Sequence, residues 1–76
     1  MSEVEWLKIF GENLSEILEE QNMTQKELAD ATGLSRGAIN GYVNGTKMPG
    51  VRAIINMVYV LGVDINDFID FGDMID

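Results

Sequence analysis

The sequence predicts an all-α domain of five short helices, and three observations carry that prediction. Apolar residues recur at intervals of three and four along the chain, and nothing alternates with the period of two that a half-buried strand needs. Gly33, Asn44-Gly45, Pro49-Gly50 and Gly62 punctuate that pattern at helix-length intervals. Ser2, Thr24, Ser35 and Asp64 each stand where a helix N-cap is wanted.

Each element follows from those signals. Ser2-Glu3-Val4-Glu5 fits a capping box, and Leu7, Phe10, Leu14, Ile17 and Leu18 then form one buried stripe. Gly11 inside that stripe costs about 1 kcal/mol relative to alanine, so the first turns are expected to fray. The second helix opens on another capping box, Thr24-Gln25-Lys26-Glu27, with Met23 and Leu28 placed as a hydrophobic staple. Gly33 stops it within ten residues. Ser35 caps a third helix that runs to about Asn44, and Gly45 ends it. Pro49-Gly50 launches a fourth, with Ile54, Met57, Val58 and Leu61 on one face, closed by Gly62. Asp64 caps a last short helix carrying Ile65, Phe68 and Ile69.

Composition excludes several chemistries. The chain has 76 residues, so it reads as one domain spanning 1–76, near the lower limit for a single core without staples. With no cysteine and no histidine, it lacks disulfides, thiolate chemistry, the common zinc ligands and a neutral-pH proton shuttle. No nucleophile stands beside a base, so no enzyme is expected, and no cofactor either. Asp64-Ile65-Asn66-Asp67 lacks the alternating ligands and glycine of a calcium loop and reads as capping. No apolar run approaches the roughly 18–20 residues of a membrane span, and the N-terminus is acidic. A soluble, cytoplasmic protein is the expectation.

Two short helices joined by a tight glycine turn, the second opening on polar residues, form a helix-turn-helix signature. Leu28, Ala29, Leu34 and Ile39 are placed to lock the pair together, and Ala29 is small enough for close approach. Ser35-Arg36-Gly37 opens the second helix, and Arg36 is the side chain there able to grip a guanine edge with two hydrogen bonds. The distribution of charge bears on this. The net charge of −8 looks wrong for a nucleic-acid binder, yet residues 1–20 and 53–76 each carry −5 while residues 21–52 carry +2. Local sign counts because fields decay within about 8–10 Å. Lys26, Arg36, Lys47 and Arg52 are the cations of that middle segment.

The run from Thr24 to Gly45 resembles the Cro/repressor (XRE-type) helix-turn-helix family of phages and bacteria. Gln25, Leu28-Ala29, Gly33, Ser35, Ile39, Asn44-Gly45 and Pro49 fall at the family's spacing, and the likeness extends over about residues 10–69. It leaves 70–76 as an acidic, apolar tail. The resemblance implies a compact five-helix, lambda-repressor-like fold that inserts its third helix in the major groove of double-stranded DNA as a homodimer. It implies sequence-specific transcriptional regulation of the phage or bacterial repressor type. In the roles it implies, Gln25 touches phosphate and braces the recognition helix. Ser35, Arg36, Gly37 and Gly41 face the groove, Asn40 reaches a base or phosphate, and Asn44, Thr46 and Lys47 hold phosphates.

The chain departs from the family in two ways. Gly37 and Gly41 have no side chain with which to read a base. Leu18 and Val43 stand where the family usually pairs an arginine with a glutamate; losing both partners avoids a lone buried charge, so the two are expected to meet in the core. Phe68, Phe71, Met74 and Ile75 are the expected dimer contacts, although the apolar tail reads equally as an end folded back on the core. The acidic charge and the two glycines keep a second reading open: the same fold used to bind protein, with little or no DNA binding.

Overall fold

The structure, a computed structural model, describes residues 2–68. They form four α-helices, α1 (Glu3–Glu20), α2 (Gln25–Thr32), α3 (Arg36–Asn44) and α4 (Val51–Leu61), followed by a 3-10 turn, Ile65–Asp67. The all-α class is as the sequence predicts. The fifth helix is not: Asp64 and Asp67 close a capping box over three residues, too tight and too short for an α-helix. Ile69 lies outside the described residues.

The helix ends follow local rules. Thr24 and Glu27 make the reciprocal capping box, the Glu27 amide donating to the Thr24 hydroxyl at 3.0 Å and the Thr24 amide to the Glu27 carboxylate at 2.9 Å. The Ser35 hydroxyl accepts from the Ala38 amide at 3.0 Å. Ser2 makes only half of its box, accepting from the Glu5 amide. Asn22, at φ 54°, turns the chain from α1 into α2, a left-handed residue that no sequence signal marked.

Thirteen apolar residues from every helix and from Phe68 form the core, and among the described residues no polar or charged one is buried. Trp6, Phe10 and Phe68 stack in a column, with ring centroids 5.3 and 5.0 Å apart. Phe68 is fully buried there, so it is unavailable as the dimer contact expected of it. Phe71, Met74 and Ile75, the other expected contacts, lie outside the described residues. Leu18 is buried and Val43 is half-buried against the same cluster. The two therefore serve as apolar packing where the family's ion pair would otherwise stand.

Gly11 corrects the expectation of a fraying helix. α1 runs unbroken through it, and the residue is buried. A Cβ on Gly11 would lie 2.5 Å from the carbonyl oxygen of Val43 and 2.6 Å from that of Tyr42. The glycine lets α1 cross directly over the C-terminal end of α3. Its cost in helix propensity is offset by that close approach.

Side-chain amides of Asn13 in α1 and of Gln21 just after it tie down Phe68 and the end of α4. The Gln21 amide donates to the Leu61 carbonyl at 2.7 Å, satisfying an orphan acceptor at the end of α4, and the Asn13 amide donates to the Phe68 carbonyl.

Candidate nucleic-acid interface

The turn between α2 and α3 is built by three neighbours. Gly33 adopts φ 77°, a left-handed conformation, and donates its amide to the Ala29 carbonyl at 2.9 Å. The Thr32 hydroxyl donates back to the Leu28 carbonyl at 2.7 Å and accepts from the Leu34 amide at 3.2 Å, bridging the end of α2 and the turn. Leu28, Ala29 and Ile39 are buried between the two helices, and Leu34 packs against them. The second helix of the pair is thereby held rigidly at its start.

α3 exposes Ser35, Arg36 and Gly37 at its N-terminal end, and nothing lies within 4 Å of the position a Cβ would take on Gly37. Arg36, Asn40 and Asn44 follow at intervals of four, and all three are exposed. The Asn40 amide donates to the Gln25 side-chain oxygen at 3.3 Å, and the Asn44 amide donates to the Asn40 oxygen at 3.0 Å. A ladder of three amides thus runs from the N-terminus of α2 to the C-terminus of α3. The bracing role that the family resemblance implies for Gln25 has a concrete partner in Asn40, which no sequence signal had linked to it.

Gly41 is placed differently from expectation. It is half-buried, and a Cβ there would lie 2.8 Å from the Lys47 Cβ and 3.6 Å from the Thr46 hydroxyl. The Gly41 carbonyl accepts from the amides of Thr46 and Lys47 at 2.9 and 3.2 Å. The bare face of Gly41 is therefore a seat for the loop, and what it presents outward is the stem of Lys47, not an open helix surface. Thr46 and Lys47 themselves are exposed.

The cations are fewer than the sequence count suggests. Lys26 pairs with Asp30 at 3.7 Å, one turn along α2, which leaves Arg36, Lys47 and Arg52 without an ion pair among the described residues. These three lie in a stretch, residues 31–63, that contains no aspartate or glutamate at all. The acids lie on either side in sequence, and in space Glu16, Glu20 and Asp67 gather with Asn13 around a groove between α1 and the 3-10 turn. No residue of α2 or α3 lines that groove. Glu27, the one acid at the head of α2, is committed to its cap, where hydrogen bonds from Thr24 and the nearby Lys26 charge hold its carboxyl below the ordinary glutamate value.

A helix pair with this turn, this brace and this exposed leading end defines a helix-turn-helix protein. Residues 14–68 match the family model described as helix-turn-helix, and the chain belongs to that family, in its Cro/repressor (XRE) branch. The chain is 31% identical over 58 residues to an uncharacterized HTH-type transcriptional regulator, YqaE, of Bacillus subtilis (strain 168). That alignment covers 76% of this chain but only 50% of the relative, so the chain spans about half the length of the curated protein it matches. Among solved structures, the restriction-modification controller protein C.AhdI from Aeromonas hydrophila superposes with a TM-score of 0.78 at 24% identity, covering 82% of this chain and 94% of that one. The clp gene regulator ClgR from Corynebacterium glutamicum gives 0.80 at 22% identity, covering 91% and 76%. These two likenesses establish the fold. Membership of the family marks a binding fold and not an enzyme. No helix among the described residues is long and apolar enough to cross a membrane.

Proposed function

We propose that the chain is a sequence-specific DNA-binding regulator of transcription that lays α3 in the major groove and acts as a homodimer on two half-sites. The observation that carries this reading is the exposed, acid-free leading end of α3, Ser35-Arg36-Gly37, held by the Gly33 turn and braced by Gln25 through Asn40. Arg36 is the direct base contact, to guanine O6 and N7. Bare Gly37 lets the helix approach the base edges closely. Gln25, Asn44, Thr46 and Lys47 hold phosphates, with Ser35 and the first amides of α3 beside them. Asn40 orients the Gln25 amide and has a second N–H free for the backbone. Gly41 contributes by seating Lys47 where it reaches a phosphate. The Bacillus relative, whose name describes a transcriptional regulator, supports the same reading.

Selection of bound sequences from a random duplex pool at low salt tests it and returns the operator. Arg36→Ala should weaken binding by about 5- to 150-fold, roughly 1–3 kcal/mol, and relax preference at one base pair per half-site. Lys47→Ala should weaken all sequences alike and reduce the salt slope by about one charge per subunit. A pool that yields no enriched sequence, with binding absent at low salt, would overturn the DNA reading in favour of a protein-binding role.

A further inference from the structure

We propose that Lys8, in the acidic first helix, is a further phosphate contact of the DNA surface and extends the row of polar groups along α3 past its C-terminal end. Lys8 is the single lysine or arginine of residues 1–20, a segment that carries −5. It precedes residues 14–68, the stretch matched by the family model, so the resemblance gives it no role. The crossing of α1 over α3 brings it to the loop. Gly45, at φ 72°, ends α3. A Cβ on Gly45 would lie 3.4 Å from the Leu7 carbonyl oxygen and 3.5 Å from the Lys8 Cα. Backbone therefore rests on backbone, and Lys8 is held beside the two residues that flank Gly45, Asn44 and Thr46.

Two observations turn that placement into a contact. The first is availability. Lys8 is exposed and makes no ion pair among the described residues, although Glu5 and Glu12 stand at the helical spacings that would allow one. Glu5 instead accepts from the Ser2 hydroxyl at 3.2 Å. An unpaired ammonium on a flexible four-carbon stem is thus left beside the end of α3. The second is continuity. Asn44 ends the amide ladder that begins at Gln25, and Thr46 and Lys47 follow Gly45, all of them exposed. Lys8 stands next in that row, contributed by another helix. Such a row of donors and cations suits the repeating charge of a DNA strand, where a lysine neutralises one phosphate and releases a counterion. The inference rests on the DNA reading and adds a cation to Arg36, Lys47 and Arg52, from a segment whose net sign is opposite.

Binding of the full chain to a random-sequence duplex, followed by fluorescence anisotropy across a range of salt, tests it, since a phosphate contact needs no particular sequence. Lys8→Gln should bind about 3- to 10-fold more weakly than wild type at roughly 50 mM salt, with a salt slope lower by about one charge per bound subunit. Lys8→Arg should restore both. Asn66→Asp makes the same one-unit change of net charge next to Asp67, in an acidic groove that no residue of α3 lines. It should leave affinity and slope near those of the wild type. All three variants should keep the wild-type circular dichroism and melting temperature, because positions 8 and 66 are exposed. Lys8→Gln with unchanged affinity and slope overturns the proposal. So does a weakened Lys8→Gln whose slope is unchanged, since Lys8 would then act only by supporting the end of α3. Equal weakening by Asn66→Asp overturns it too, because whole-molecule charge would account for the effect. A wild type that binds no duplex strikes the DNA reading and takes this contact with it; failure at Lys8 alone leaves that reading standing.

Discussion

Two glycines within helices, one in the middle of α1 and one in the first turn of α3, sit in opposite surroundings. Gly11 lies where α1 crosses the end of α3, with backbone carbonyls 2.5 and 2.6 Å from any Cβ it might carry. Gly37 lies on the outer, leading turn of α3 with nothing within 4 Å. Both are equally poor helix formers. The first is required by the packing of the protein against itself; the second is required by nothing inside the molecule and faces outward beside Arg36. Identical residues thus mark a closed crossing and an open, exposed turn, and only their surroundings tell them apart.

The same substitution at both sites separates the two most strongly. Gly11→Ala should destabilise the domain by about 1–3 kcal/mol or more, because a carbonyl of the backbone cannot step aside as a side-chain tip does. Urea unfolding followed by circular dichroism measures it; an unchanged midpoint would mean that the two helices part without penalty. Gly37→Ala should do the reverse and stabilise by about 0.5–1 kcal/mol through helix propensity. If that turn enters a groove, the same variant should lose DNA affinity while gaining thermal stability, a divergence that a purely structural glycine would not produce.

The smallest effect concerns the cap between these regions. The folded pKa of Glu27 is depressed, so its contribution is present above the unfolded glutamate value of about 4.3 and is lost as pH falls through the folded value. Glu27→Gln keeps a side chain that accepts from the Thr24 amide but does not titrate. The stability difference between wild type and variant should therefore be constant above about pH 5 and shift in favour of the glutamine below about pH 4. Parallel thermal melts across that range resolve it.

What was legible in the sequence divides along the same line. Thr24 with Glu27, Ser35, Gly33 and Gly45 act within four residues of themselves, and local rules identified them and the helix-turn-helix they frame. Gly11 answers to Val43, Gly41 to Lys47, and Phe68 to Phe10, partners that sequence spacing does not connect. In the sequence alone Gly11 therefore reads as a weak spot and Phe68 as an interface residue, and nothing there shows that Gly41 seats Lys47. The amide ladder escaped notice for the same reason, since Gln25 and Asn40 meet only once the turn has brought the helices together. The apolar letters of α4 were visible too, but which of them turn inward was settled by packing.

The clasp between Asn13 and Phe68 bears on the order in which the protein takes shape. Fifty-five positions separate the two residues, and the aromatic column through Phe10 closes over a similar interval. Closing so long a loop costs entropy that only late contacts recover. α2 and α3 can pair through contacts close in sequence, while the seat of α1 is completed only when Phe68 closes onto Phe10. Before that closure the Phe10 end of the α1 stripe lacks its aromatic cover.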